Sequence, residues 1–318
     1  MAKTKPENAK KAPKRDARAG RVALVGRPNV GKSTLLNALV GQKLAIATPK
    51  PQTTRSCILG VYASKEPPVQ IAFVDTPGMH RPSTALGRSL VEEAKAGLAA
   101  VDVVVLVTDV PRALGPGSGP SSEEDDVLRA LEDVNVPVVL ALNKVDSLKD
   151  KTKLLPLLAR WNARRELAAI VPISATKGTN LDALVREIAE HLPPGVLYED
   201  DFVTDRPLRF FASELVREAI IARTRQEVPH SVAVVVEQVE EGARLVRVRA
   251  SIVVDRPGHK GMIIGKGGAM LKEIGTAARL ELEQLFERRV FLELHVRVEP
   301  AWTKDPEKIR RLTREAAT

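Results

Sequence analysis

At 318 residues, 44% apolar and 28% charged, the chain is long enough for two domains at roughly 150 residues each, and its formal charge of +9 favours a polyanionic partner. The single cysteine, Cys57, excludes a disulfide framework and a thiolate metal centre, and the five histidines show no ligand spacing. The N-terminus lacks the apolar core of a secretory signal. The most hydrophobic stretch, residues 98–107, is broken by Asp102 and falls short of the roughly 20 residues of a membrane span, so the chain reads as cytosolic.

The charge is unevenly placed. Residues 1–21 hold 8 basic and 2 acidic groups, residues 22–206 hold 21 and 22, and residues 207–318 hold 20 and 16. Residues 1–20, rich in Lys, Ala and Pro and without apolar periodicity, read as a disordered basic tail. From Arg21 strand and helix patterns alternate: strands at 21–25, 69–74, 103–108 and 136–142, helices at 32–40 and 86–100. Near-continuous apolar strands between helices predict a mainly parallel sheet covered on both faces. A helix at 179–192 stops at Pro193-Pro194-Gly195, which sets the end of a first domain, 21–195. After a linker at 196–206, a helix at 208–225, strands at 231–239 and 245–254, a helix at 271–288 and a strand at 291–298 predict a smaller α+β domain, 207–300, with a C-terminal segment at 301–318. Phe210, Phe211, Phe286 and Phe291 read as its core.

The segment Gly26-Arg27-Pro28-Asn29-Val30-Gly31-Lys32-Ser33, followed by Thr34, fits the phosphate-binding pattern G-x-x-x-x-G-K-[ST] between a predicted strand and a predicted helix. Glycines let backbone N–H groups turn toward phosphate oxygens, and the helix N-terminus adds partial positive charge. Lys32 is placed to reach the β- and γ-phosphates and Ser33 to ligate Mg²⁺. Asp75-Thr76-Pro77-Gly78 follows the strand at 69–74, so Asp75 stands near that metal and Gly78 offers an N–H to the γ-phosphate. Between these, Gln52-Thr53-Thr54-Arg55-Ser56 supplies a threonine to complete the metal shell, Thr54 in preference to Thr53.

Asn143-Lys144-Val145-Asp146 and Ser174-Ala175-Thr176 each follow an apolar strand and match the GTPase signatures NKxD and SAx. That resemblance implies that Asp146 accepts from guanine N1–H and the N2 amine, Asn143 ties the phosphate loop to the base, Lys144 covers the purine plane, and the Ala175 N–H donates to O6. The ordered set selects GTP and GDP over adenine nucleotides. The position after Gly78, where Ras-like GTPases carry a water-orienting Gln, is Met79, which predicts slow intrinsic hydrolysis. Asn29 matches an Asn that in related GTPases supports K⁺ at the phosphates, so K⁺ joins Mg²⁺ as an expected ion.

In the second domain Gly265-Lys266-Gly267-Gly268, preceded by Ile263 and Ile264 and followed by a helix, fits the GxxG loop of KH domains, which clamps a nucleic-acid backbone. The predicted α-β-β-α-β order suits a type II KH domain. Lys260, Ile264, Gly265, Lys266, Gly267, Gly268 and Lys272 are the expected RNA contacts, with Arg247, Arg249 and Arg256 as further phosphate candidates. No aromatic stacking signature is present.

An α/β P-loop GTPase domain joined to a KH domain resembles the Era family of GTPases. The resemblance runs over roughly residues 21–302 and rests on GRPNVGKSTLLNAL, PQTTR, DTPGMH, ALNKVD, VPISATKGTN, YEDDFVTDRPLRFFASELVREAI, VPHSV and GHKGMIIGKGGAMLKEIG in that order. The basic tail and the Gly/Pro/Ser insertion at 115–122 depart from the family pattern. The resemblance implies binding of the 3′ end of small-subunit (16S) ribosomal RNA in the GTP state, a role in 30S subunit assembly, and peripheral association with the inner face of the cell membrane. A monomer is expected, since no heptad repeat is visible. Three other readings remain open: a GTPase acting on another RNA or on the large subunit, a nucleotide-sensing RNA-binding module without significant turnover, and a peripheral membrane or cell-cycle signalling GTPase.

Overall fold

The computed structural model describes residues 17–48, 50, 53–110, 122–199, 201–224 and 228–314. Most of the basic tail, the insertion at 115–121, Gln52 and the last four residues lie outside them.

The first domain is a six-stranded sheet in the order β2-β3-β1-β4-β5-β6. Its strands are β1 (Arg18–Val25), β2 (Ile58–Lys65), β3 (Pro68–Asp75), β4 (Val103–Asp109), β5 (Val138–Asn143) and β6 (Ala169–Pro172). All neighbours run parallel except β2 and β3, whose antiparallel pairing makes the sheet mixed. The helices are α1 (Lys32–Val40), α2 (Ala85–Ala96), α3 (Ser122–Ala130), α4 (Leu154–Asn162) and α5 (Leu181–Glu190). Strands β4 and β5 are buried at every position, as a sheet covered on both faces requires.

One boundary differs from the sequence reading. Strand β1 begins at Arg18, inside the stretch assigned to the tail, because Arg18, Ala19 and Gly20 pair with Val69, Gln70 and Ile71. The Arg18 guanidinium also donates to the carbonyls of Glu190 and Leu192, both at 2.9 Å, at the end of α5. The linker, too, is anchored: the Val61 N–H donates to Val203 O at 2.8 Å, Thr204 donates to Leu59 O at 2.6 Å, and Tyr198 stacks on Phe202 with ring centroids 4.5 Å apart.

The second domain packs α6 (Leu208–Arg223) and α8 (Ala269–Phe286) on a three-stranded sheet of β7 (Val232–Glu241), β8 (Leu245–Val254) and β9 (Arg289–Val298). Pairing of β7 with β8 is antiparallel and of β8 with β9 parallel. An eight-residue helix, α7 (Pro257–Ile264), precedes the GxxG loop, in a stretch to which the sequence reading assigned no element. Gly258 and Gly261 hide the helix from propensity, but Pro257 at its first turn is the favourable start. A final helix, α9 (Pro306–Arg314), follows a short turn at Trp302–Lys304.

That C-terminal segment joins the two domains. Trp302 is fully buried, its indole N–H donates to Ser231 O at 3.1 Å, and with Ile309 and Leu312 it packs against Leu86 and Leu90 of α2. Trp302→Ala empties this junction and lowers stability by about 3–5 kcal/mol, to be read as a lower urea midpoint by circular dichroism.

Candidate functional site

The phosphate loop leaves β1 at Val25 and enters α1 at Lys32, with Gly31 as the helix cap in a left-handed conformation (φ 99°). A side chain at Gly31 is excluded twice over: by that φ and because a Cβ would lie 2.5 Å from the amide nitrogen of Asn143. Asn143 uses that nitrogen to donate to Val30 O at 2.8 Å, while its oxygen accepts from the N–H groups of Lys144 (2.8 Å) and Ala175 (3.0 Å). One buried amide therefore joins the phosphate loop, the NKxD segment and the SAT segment. The Ala175 N–H, predicted to meet guanine O6, is engaged by Asn143 here.

Lys32 is buried and donates to the carbonyls of Gly26 (3.0 Å) and Arg27 (3.1 Å). Burial pushes its ammonium down to about 8, with the attraction of Asp75 opposing and the charge of Arg27 assisting. Ser33 donates to Asp75 Oδ2 at 2.7 Å and lies 2.9 Å from the Thr54 hydroxyl, which is itself 3.4 Å from Asp75 Oδ2. Asp75 is fully buried and its Oδ1 has no partner among the described residues. Two hydroxyls and a carboxylate with an unused oxygen make a hard-oxygen donor set that fits Mg²⁺. Thr53 is excluded from that set, because its hydroxyl donates to Lys50 O at 2.7 Å and meets Thr48 Oγ1 at 2.8 Å.

A cavity of about 390 Å³ lies over this cluster, lined by Pro28, Asn29, Gly31, Lys32, Ser33, Thr34, residues 46–48, Thr53, Thr54, Gly78 and Lys144. Gly78 sits where a Cβ would come within 2.8 Å of the Pro28 backbone. Pro77 is buried beside it. Asp146, exposed in the turn Val145–Ser147, and Thr176, also exposed, do not line that cavity, and Ser174 is buried.

Four residues of these motifs turn their side chains into the protein. The Arg27 side chain is buried and paired with Asp109, with Glu124 at 3.9 Å, so it faces the protein interior. Val30 is a core residue, and the Thr76 hydroxyl donates to Leu24 O at 2.8 Å, stitching β3 to β1. Met79 is buried in the core with Ala23, Val25, Val104 and Leu106, so its side chain stays out of the phosphate cavity. Asp109 is a residue that motif reading misses. It pairs with Arg27 and, at 2.8 Å, with Lys144 Nζ, which also donates to Asn29 O at 2.7 Å. Only its place at the end of β4 hinted at this.

In the second domain Gly265 (φ 70°), Gly267 (φ 59°) and Gly268 (φ 81°) all take left-handed conformations, and a Cβ on Gly265 would meet Met270 Cβ at 2.7 Å. Lys266 and Lys272 are exposed, and Lys260 and Ile264 half-buried, around the loop. Met262, 59% exposed beside them, adds an apolar contact that the sequence reading omitted. Arg247 and Arg249 are not brought to the loop. They alternate with buried Val246 and Val248, so they lie on the open sheet face, where Arg249 pairs with Glu293 at 3.2 Å. Phe291, expected in the core, lies on that face too, 53% exposed with the Arg247 guanidinium 5.8 Å from its ring centroid. Arg256 caps α7 and pairs with Asp255 at 3.6 Å.

Residues 21–144 match the family described as 50S ribosome-binding GTPase, and residues 227–303 match the KH domain. GTPase Era of Xanthomonas oryzae pv. oryzae is 46% identical over 292 residues, 91% of this chain and 94% of that protein. The chain belongs to the Era family of GTPases. GTPase Era of Syntrophus aciditrophicus is 43% identical over 296 residues, 92% of this chain and 94% of that one. A variant of Aquifex aeolicus Era bound to GDP·AlF4⁻ superposes with a TM-score of 0.87 at 42% identity, covering 93% of this chain and 98% of that one. An Era complex with MgGDPNP and nucleotides 1506–1542 of 16S ribosomal RNA superposes with the same TM-score, identity and coverage. The activity of this Era-family chain is hydrolysis of GTP to GDP and phosphate, on a P-loop domain followed by a KH domain.

The buried carboxylate sets the pH dependence. Burial pushes Asp75 up to about 6, against the opposing pull of Lys32, Ser33 and Thr54. Below that pH the carboxyl holds a proton and ligates metal poorly. The Mg²⁺ concentration for half-maximal turnover therefore climbs as pH falls through 6, by up to about tenfold per unit, and is flat above 7. Turnover titrated with Mg²⁺ from pH 5 to 8 reads this directly.

Proposed function

We propose that the chain binds the 3′ end of small-subunit ribosomal RNA through its KH domain in a GTP-dependent manner and acts in 30S subunit assembly. The observation that carries this reading is the three left-handed glycines of the GxxG loop, set between α7 and α8 with Lys260, Lys266 and Lys272 around them. Such a loop lets a sugar-phosphate backbone approach the main chain. The solved Era complex with a 16S fragment at 42% identity supports the choice of RNA, against the large-subunit reading raised by the 50S wording of the G-domain family.

At the nucleotide, we assign Lys32 and the N–H groups of the phosphate loop to the phosphate oxygens, and the Gly78 N–H to the γ-phosphate. Ser33, Thr54 and Asp75 would hold Mg²⁺, which supplies neutralisation of phosphate charge when bound. Asp146, with Asn143, Lys144 and the Ser174-Ala175-Thr176 segment, selects guanine. With Met79 in the core, orientation of the attacking water falls to backbone groups of the two loops, another residue or a partner, and intrinsic turnover is slow. Asn29, at the cavity wall, supports K⁺ as a second ion. The basic tail, with its excess of Lys and Arg, supports peripheral contact with anionic lipid on the inner face of the membrane. We place the chain in the cytoplasm as a monomer.

Asp146→Asn replaces a pure acceptor by an amide that matches xanthine better than guanine. It should weaken GTP and strengthen XTP, checked by competitive nucleotide binding. For the RNA, a short strand matching the 16S 3′ end and a scrambled strand are compared with GDP and with GDPNP at fixed salt. Selective binding with GDPNP is expected, and Gly267→Asp, whose Cβ meets open space at a positive φ (59°) that Asp adopts more readily than most residues and whose charge repels phosphate, should lower it by at least about tenfold while GTP turnover persists. Equal affinity for both strands in both nucleotide states removes the reading.

A further inference from the structure

The loop that carries Thr54 is fastened, on both sides of that residue, to the second domain. On the N-terminal side, the Ala47 N–H donates to Glu218 Oε1 at 3.3 Å, and Lys43 pairs with Glu218 at 2.7 Å and with Glu281 at 2.9 Å. Lys50 Nζ donates to the carbonyls of Ile221 and Thr224 at the end of α6. On the C-terminal side, Arg55 is buried and donates to Val232 O at 2.7 Å and Pro229 O at 3.2 Å. The residue immediately before Thr54 is held most closely. Arg217 on α6, only 2% exposed, donates from Nη2 to Thr53 O at 2.5 Å, while its Nε donates to Glu214 Oε1 at 2.8 Å.

The chemistry of these contacts makes them a positional constraint. Arg217 is a rigid planar fork, clamped by Glu214 on its own helix one turn back, so its remaining edge has a fixed direction. That edge meets the Thr53 carbonyl, one peptide unit from the side chain whose hydroxyl stands 2.9 Å from Ser33 Oγ over Asp75. Arg217 is paired with the buried Glu214, and buried Arg55 feels the charge of both without pairing directly with that carboxylate. Burial, and then the charge of Arg217, push Arg55 down to about 9. Opening the loop would leave both cations without the carbonyls that solvate them, so closed and open positions differ by discrete contacts.

We infer that Arg217, in the KH domain, is a positioning residue of the GTP site: it holds the Thr53 carbonyl so that the Thr54 hydroxyl stays on the Mg²⁺ ligand set. The nucleotide site is then completed by the RNA-binding domain, and the metal shell is the place where that domain acts on hydrolysis. The inference rests on the assignment of Thr54 as a metal ligand, and it is independent of which RNA the chain binds.

The test uses the full chain without RNA. Mg²⁺ is titrated in GTP turnover, and GDP and GDPNP affinities are measured, for wild type, Arg217→Gln, Arg217→Lys, Thr54→Ala and the double variant Glu214→Met/Arg217→Met. The double variant removes the pair together and leaves no lone buried charge, so it provides a folded case if Arg217→Gln does not fold. Arg217→Gln is expected to raise half-saturating Mg²⁺ by about tenfold or more, the usual effect of losing a partner that orients a metal ligand. GDPNP should weaken relative to GDP by a similar factor, GDP affinity should persist, and Arg217→Lys should restore part of the loss. A folded Arg217→Gln or double variant with wild-type Mg²⁺ dependence and an unchanged GDPNP-to-GDP ratio overturns the inference. If Thr54→Ala also leaves the Mg²⁺ titration unmoved, the metal-ligand assignment fails and takes the inference with it, while the ribosomal RNA reading stands.

Discussion

A carboxylate buried without full compensation organises this molecule. Asp75 ends strand β3, wholly out of water, with one oxygen satisfied by Ser33 and the other without a partner among the described residues. A buried charge of that kind is tolerated only beside opposite charge. Lys32 supplies part of it, and Mg²⁺, held as proposed by Asp75, Ser33 and Thr54, would supply the rest. On that assignment the loop holding Thr54, and with it the contacts to α6, would be tied to the state of the phosphates.

Around this centre the sheet delivers its functional residues at the carboxyl ends of parallel strands, where ligands bind in open α/β sheets. Lys32, Asp75, Asp109 and Asn143 follow or end β1, β3, β4 and β5. The phosphate and base halves are joined by two small buried devices. The Asn143 amide bridges three segments, and Asp109 takes one cation from the phosphate loop and another from the base segment. Such polar junctions are rigid only when every member is satisfied. The glycine at position 31 is the steric condition that lets the Asn143 bridge form.

Much of this was legible in the sequence. The phosphate loop, Asp75, Asn143 and the GxxG loop stand at fixed spacings between strands and helices, because local backbone geometry dictates them. Thr54 could be preferred to Thr53 but not separated from it, since only the tertiary structure shows the Thr53 hydroxyl turned back to Lys50. Asp109 carries no motif, and Arg55 and Arg217 lie in segments that support the family resemblance without indicating a role for either side chain. Their roles come from partners 82, 177 and 164 residues away, and no local pattern encodes such separations. Likewise Phe291 and Trp302 depart from a reading of local pattern: strand alternation turns Phe291 outward, whereas the C-terminal segment, whose packing no local pattern encodes, buries Trp302 between the domains.

The central claim is that phosphate state and RNA binding are two readings of one equilibrium. Linkage makes that claim reciprocal: whatever factor GTP contributes to RNA affinity, RNA must return to GTP affinity. The most direct measurement is the affinity of GDPNP and of GDP for the full chain with and without a saturating strand matching the 16S 3′ end. The account predicts tighter GDPNP binding in the presence of RNA, with GDP little changed and a scrambled strand inert. GDPNP affinity unmoved by the cognate strand, under conditions where the strand is bound, would contradict it.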